Sequence, residues 1–155
     1  MTPLLPALVT GAATATTGLV AGLLYGFACA VMPGLRRVDD AAFVAVMRSI
    51  NRRILNGWFL VCFLGAPVLT VATGFVGGFG RPIVAALALS GVSYLITAAG
   101  NVPLNTALDA AGDPAGIADT GAARVRFERR WVRWNVARSL ASAGAFGCLI
   151  GALLN

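Results

Sequence analysis

Residues 134–154, WNVARSLASAGAFGCLIGALL, decide the fold, because they settle whether the chain crosses a membrane three times or four. A helix needs about 20 predominantly apolar residues to cross the hydrocarbon core. This stretch reaches that length only by taking Asn135 and Arg138 into its first turns. Polar side chains near the end of a span can snorkel to the interface or face protein, so the length stands. It joins three plainer spans: Leu4 to Met32, Trp58 to Phe79, and Ile83 to Gly100 with its continuation to Asn105. The expected fold is all-α, a four-helix transmembrane bundle forming one integral membrane domain over residues 1–155.

The rest of the composition agrees. Hydrophobic residues make up 58% and charged residues 12% of the 155, with a mean hydropathy of +0.82. A soluble domain is about 45–50% apolar and about 25% charged, so neither a water-soluble domain nor a disordered chain fits. All 12 cations are arginines, against 6 acids, for a net charge of +6. They cluster beside apolar spans instead of covering a soluble face, which argues against nucleic acid and for a flank facing anionic lipid. The first span is not read as a signal peptide: Met1 to Thr17 holds no Lys or Arg, and the apolar run is about twice the length of an h-region.

Arginine placement orients the spans. Arg36, Arg37, Arg48, Arg52 and Arg53 lie between spans one and two, and Arg124, Arg126, Arg129, Arg130 and Arg133 between three and four. The remaining loop carries Arg81 alone. The positive-inside rule then puts both long loops in the cytoplasm and both termini outside, in what is most simply a bacterial plasma membrane. Gly18, Gly22 and Gly26 recur every four residues in span one, and Gly144, Gly147 and Gly151 form a similar face in span four. Such faces let a second backbone approach, within the bundle or across a homo-oligomer seam.

Neither long loop reads as a floppy linker. Phe43, Val44, Met47, Ile50, Ile54 and Leu55 recur at helical spacing behind Asp39 or Asp40 as N-cap, giving an amphipathic interfacial helix between spans one and two. In the second loop, Ala110 to Gly121 breaks around Pro114, and a charged helix from Ala122 runs directly into span four. Arg124 and Glu128 are placed to pair on it.

A lipid-facing bundle has no need of the polar residues at the arginine-rich end. Asn101-Val102-Pro103-Leu104-Asn105 closes span three, Trp131 to Arg138 opens span four, and Arg48-Ser49-Ile50-Asn51-Arg52 lies in the interfacial helix. Asn101 and Asn105 share a face if the helix continues through Pro103, and Trp131, Asn135, Arg138 and Ser142 stripe another. Read as structure, these are caps, a kink and braces for helix ends. Read as function, they are buried polar groups that must satisfy one another or hold a ligand, since a buried Arg costs on the order of 3 kcal/mol.

Histidine is absent, which excludes haem on an axial His, a His-rich metal centre and a Ser/His/Asp triad. Cys29, Cys62 and Cys148 lie in three different spans without a Cys-x-x-Cys pair and read as small buried hydrophobes. Met32 and Met47 read as packing residues, and no Gly-rich loop follows a strand to cradle a phosphate. An enzyme built from this chain is expected to use no bound cofactor.

Four segments, Pro33-Gly34-Leu35, Met47-Arg48-x-Ile50-Asn51, Asn101-Val102-Pro103-Leu104-Asn105 and Trp131-x-x-x-Asn135-x-x-Arg138, occur in an order that resembles the anthrone oxygenase-like family. These are small four-helix integral membrane proteins, and the likeness covers nearly the whole chain. The resemblance implies a monooxygenase-type oxidoreductase of aromatic polyketide tailoring that converts an anthrone to an anthraquinone, with O2 as co-substrate. Without His, the base has to be a carboxylate, an unusual Arg or the substrate's own phenolate. Deprotonating the ring methylene gives an aromatic enolate that passes an electron to O2, so the protein need only bind and stabilise an anion.

On that reading Arg52 and Arg138 stabilise the enolate and peroxide oxygens, and Asn105, with Asn101, Asn135 and Asn51, hydrogen-bonds carbonyl or phenol groups. Tyr25 and Trp131 are candidate walls for a flat ring system, although packing or interface anchoring is the more ordinary role of such aromatics, as for Trp58 and Trp134. Asp39 and Asp109 are the candidate bases. The expected partners are the bilayer and a hydrophobic aromatic small molecule. The alternative is a non-enzymatic membrane protein that binds a lipid or hydrophobic small molecule or scaffolds a partner enzyme. A transporter fits less well, with neither an inverted repeat nor a central acidic residue.

Overall fold

A computed structural model describes residues 4–112, 116 and 119–154 of the chain. Those residues form five helices, with no strand among them. They are α1 (Leu4–Leu35), α2 (Asp40–Arg53), α3 (Gly57–Gly77), α4 (Arg81–Ala110) and α5 (Thr120–Leu153). All but α2 are long and apolar enough to cross a membrane, so the transmembrane count is four. Leu8, Leu19, Val61, Val68, Phe75 and Leu140 point outward and are exposed, a surface suited to lipid and far too apolar for water.

Local chemistry sets the boundaries. The Asp39 carboxylate accepts from the Ala42 N–H at 2.8 Å to start α2, and Asp119 does the same for Ala122 at 2.8 Å to start α5. Asn56 caps α3 by accepting from the Phe59 N–H at 3.1 Å. The charged helix of the second loop does run unbroken into span four. The Pro114 break lies outside the described residues.

Two spans carry a π-helical turn immediately ahead of a proline: Phe27–Val31 before Pro33 in α1, and Thr97–Asn101 before Pro103 in α4. Proline has no N–H and its ring crowds the carbonyl one turn back. Widening that turn lets the helix pass through without breaking. The same local order thus occurs twice, in helices that run in the same direction. A π turn and a proline are followed by an Asp-capped helix that buries residues at four-residue spacing: Phe43, Met47 and Asn51 in α2, and Phe127, Trp131 and Asn135 in α5.

Packing is unequal around the bundle. α1 lies closely along α3 and α5, and α5 along α4, whereas α3 and α4 touch sparsely although they are chain neighbours. The largest buried apolar cluster sits at the arginine-rich end, where Phe43, Val44 and Met47 of α2, each 0% exposed, meet Ala123, Phe127 and Trp131 of α5. A helix does lie between the first two spans, and its buried apolar residues pack on protein. Arg124 secures the junction. It bonds the carbonyls of Leu35, Arg36 and Val38, pairs with Asp40 at 2.9 Å and Glu128 at 2.8 Å, and lies over the Phe43 ring.

The two glycine faces are only partly used. A methyl at Gly18 would fall 2.7 Å from the Phe146 ring, and one at Gly144 would fall 3.1 Å from Leu89. At Gly22, Gly26 or Gly147 it would meet nothing within 4 Å. The close approaches are to side chains, not to a second backbone. Cys29 is exposed and Cys62 and Cys148 are half-buried, which corrects their reading as buried hydrophobes.

Candidate functional site

Near the arginine-rich end the loose α3/α4 seam opens into a cavity of about 190 Å³ that all five helices help to line. Its walls are apolar: Leu24 and Phe27 from α1, Ile54 beyond α2, Phe59, Leu60 and Phe63 from α3. The polar lining converges from three helices as Asn51 of α2, Thr97 and Asn105 of α4, and Arg138 of α5, beside the Trp131 indole. Apolar walls with a few converging polar groups are the usual form of a small-molecule site. A wider hollow of about 390 Å³ near the second loop, lined by Leu108, Arg126 and Arg130 among others, lacks such convergence.

Arg138 is the centre of the polar group. It is 8% exposed, and Asn135 Oδ1 accepts from its Nε at 3.2 Å and its Nη2 at 3.0 Å. Its Nη1 donates to Thr97 Oγ1 at 3.3 Å, and the guanidinium lies 5.5 Å from the centre of the Trp131 ring. Thr97 in turn donates to the Ser93 carbonyl at 2.9 Å, so its hydroxyl is oriented to accept from the arginine. Among the described residues no carboxylate comes within ion-pairing distance of Arg138. Its charge is held by neutral partners alone, which leaves a buried cation facing an apolar cavity.

The asparagines divide by role. Asn135, 0% exposed, holds Arg138 and donates from Nδ2 to the Leu24 carbonyl at 3.1 Å. Asn101 donates to the Trp131 carbonyl at 3.2 Å, and Asn105 accepts from the Trp131 indole N–H at 2.8 Å, so both grip one residue. The helix does continue through Pro103, as their pairing requires. Asn51 is buried on the cavity wall with an Nδ2 that has no partner, and the Oδ1 of Asn101 is likewise buried and unpartnered.

Five of the eight residues singled out in the sequence do not line the cavity as expected or do so only in part. Asn101 and Asn135 stand behind its wall. Arg52 is exposed and pairs with Asp109 at 3.4 Å, and Tyr25, 65% exposed, faces outward from α1. Asn105 lines the cavity with its Oδ1 already committed to Trp131. Arg138, Trp131 and Asn51 line the cavity. Of the two candidate bases, Asp39 is the α2 cap and Asp109 is taken by Arg48 and Arg52, each at 3.4 Å. The sequence reading missed Thr97, Phe59 and Phe63. Thr97 stands four residues before Asn101, and that spacing was the available signal.

Four long apolar helices enclosing a cavity, with a buried arginine on its wall that no carboxylate pairs with among the described residues, fit a membrane protein. The profile of the family described as anthrone oxygenase matches residues 48–148, more than half of the chain and every polar residue named on the cavity wall, from Asn51 to Arg138. The chain belongs to the anthrone oxygenase family. No curated protein and no solved structure matches it at a significant level.

Proposed function

We propose that the protein is a membrane-embedded, cofactor-independent oxygenase that oxidises an anthrone-like polycyclic phenol to the quinone. The observation that carries this reading is Arg138: a buried guanidinium, on the wall of an apolar cavity, with no carboxylate to neutralise it among the described residues. A site of this kind favours a ligand bearing a delocalised negative charge, and an anthrone enolate is such a ligand. Asn51 adds an unused N–H donor beside it. An apolar cavity of about 150 Å³ admits benzene. The cavity's volume of about 190 Å³ therefore suits the oxygen-bearing ring of a fused tricycle, with the remaining rings toward the lipid.

No carboxylate lines the cavity among the described residues, so the proton is lost to water as the enolate forms, and Arg138 holds the resulting anion. The enolate gives one electron to O2, and the superoxide and ring radical combine to form a C–O bond. The peroxide takes up a proton. Loss of water then breaks the O–O bond and removes the remaining hydrogen from that carbon, leaving a carbonyl. In sum, one anthrone and one O2 give one quinone and one water. The arginine-rich end faces the cytoplasm in this account, and substrate arrives from the bilayer.

The same lack of a proton acceptor favours a second reading, in which the cavity holds a lipophilic anion without turnover. Oxygen uptake by the purified, metal-stripped protein supplied with emodin anthrone separates the two. Uptake above the spontaneous rate, one O2 per quinone and unchanged by chelator, is expected for the oxygenase. Saturable binding with no excess uptake would leave a binding protein.

A further inference from the structure

Pro67 lies inside α3 and has no N–H to give, so the Phe63 carbonyl one turn back loses its normal intrahelical donor. At membrane depth such a carbonyl needs another partner. It receives one from a different helix, because the Tyr94 hydroxyl of α4 donates to the Phe63 carbonyl. The bond crosses the sparsely packed α3/α4 seam, one turn away from Thr97 on the cavity wall. The rings follow the same path: Tyr94 lies 4.6 Å from Phe63, and Phe63 stacks on Phe59 at 5.0 Å. Phe59 and Phe63 are both cavity wall.

The other three seams are closely packed, and exposed Leu64 of α3 and Val102 of α4 flank the cavity on this side. The route between bilayer and cavity therefore runs through α3/α4. We propose that Tyr94 is a positioning residue for the site: by donating to the carbonyl that Pro67 leaves open, it fixes the Phe59–Phe63 wall across the lipid-facing portal. This rests on the reading that the cavity is the ligand site. It does not depend on oxygen chemistry.

The test compares wild type, Tyr94→Phe, Pro67→Ala and the double variant, each full-length in detergent. All four carry Ile54→Cys on the cavity wall, with the native cysteines replaced by Ala. The rate of labelling by N-phenylmaleimide, per folded molecule, reports how freely the wall opens. Tyr94→Phe is expected to label faster by roughly fivefold, the worth of one buried hydrogen bond. Pro67→Ala supplies an N–H at position 67 that competes with Tyr94 for the Phe63 carbonyl, so adding Tyr94→Phe to Pro67→Ala is expected to change labelling by less than about twofold. The same pattern should appear in the affinity for emodin, and in KM with kcat nearly unchanged. Wild-type labelling in Tyr94→Phe, or an undiminished effect of Tyr94→Phe in the Pro67→Ala background, overturns the proposal. Should Tyr94→Phe alone fail to fold, a folded double variant supports it and an unfolded one overturns it. Absence of oxygen uptake with this labelling pattern intact would remove the oxygenase reading and leave Tyr94 in its role.

Discussion

Asn135 Oδ1 accepts from both Nε and Nη2 of Arg138, while Asn135 Nδ2 donates to the Leu24 carbonyl at 3.1 Å. One buried amide therefore orients the arginine and ties α5 to α1 without neutralising the charge. That distinction matters for function, since an arginine already paired with a carboxylate has little left to offer an anionic ligand.

Asn135→Asp tests this directly. The carboxylate would pair with Arg138 and cost the bond to Leu24, a loss of about 1 kcal/mol, so the fold is expected to survive. Affinity for an anionic ligand should fall by about tenfold or more, as a change of ~1.4 kcal/mol in the site's interaction with negative charge requires. Emodin titration beside a melting curve in detergent checks both halves. Unchanged affinity would show that the arginine's charge is not what the ligand meets.

Asn105→Ala frees the Trp131 indole N–H, whose acceptor lies 2.8 Å away in the native protein. Loss of one such bond costs about 1 kcal/mol. The indole also lies against Arg138, so its release should raise KM severalfold while leaving the bundle assembled. Steady-state kinetics with tryptophan fluorescence would register the change.

Arg124→Ala separates structure from chemistry. Arg124 holds three carbonyls and two carboxylates at the α1/α2/α5 junction and does not line the cavity. The unfolding temperature is expected to drop by several degrees, with kcat/KM per folded molecule unchanged. A specific loss of turnover would place this junction in the site after all.

Gly18→Val and Gly22→Val should diverge. A side chain at Gly18 runs into Phe146, whereas one at Gly22 meets nothing within 4 Å. Thermal unfolding should show destabilisation for the first and little change for the second. Destabilisation of Gly22→Val together with a smaller particle in size-exclusion chromatography would reveal a homo-oligomer seam there.

The spans were legible in the sequence because hydrocarbon thickness sets a length that four apolar runs meet, and the α2 cap was legible as Asp39 or Asp40 because both precede the first buried residues of α2. Arg138 was legible as a buried cation within an apolar run. The features that stayed hidden depend on how helices cross. Arg48 and Arg52 lie one turn apart and both reach Asp109, so the crossing of α2 over α4 occupies the carboxylate that had looked available as a base. The π turn before Pro103 adds a residue to its turn and rotates the N-terminal part of α4 by about 100° relative to the C-terminal part, a shift that simple spacing ignores. Tyr94 carried no signal by itself. Its meaning comes from Pro67, 27 positions earlier, and only the folded chain brings the two residues' helices together.

The most direct test of the central claim is oxygen uptake with emodin anthrone by wild type and Arg138→Met, compared at equal amounts of folded protein. The methionine keeps an apolar chain in place and removes the cation. With Arg138 stabilising the enolate and peroxide, kcat/KM above the spontaneous rate should fall by about 100-fold or more, the usual effect of removing an anion-stabilising donor. A variant that consumes oxygen within about twofold of the wild-type rate would contradict the account, because the buried charge at its centre would then have no part in the reaction.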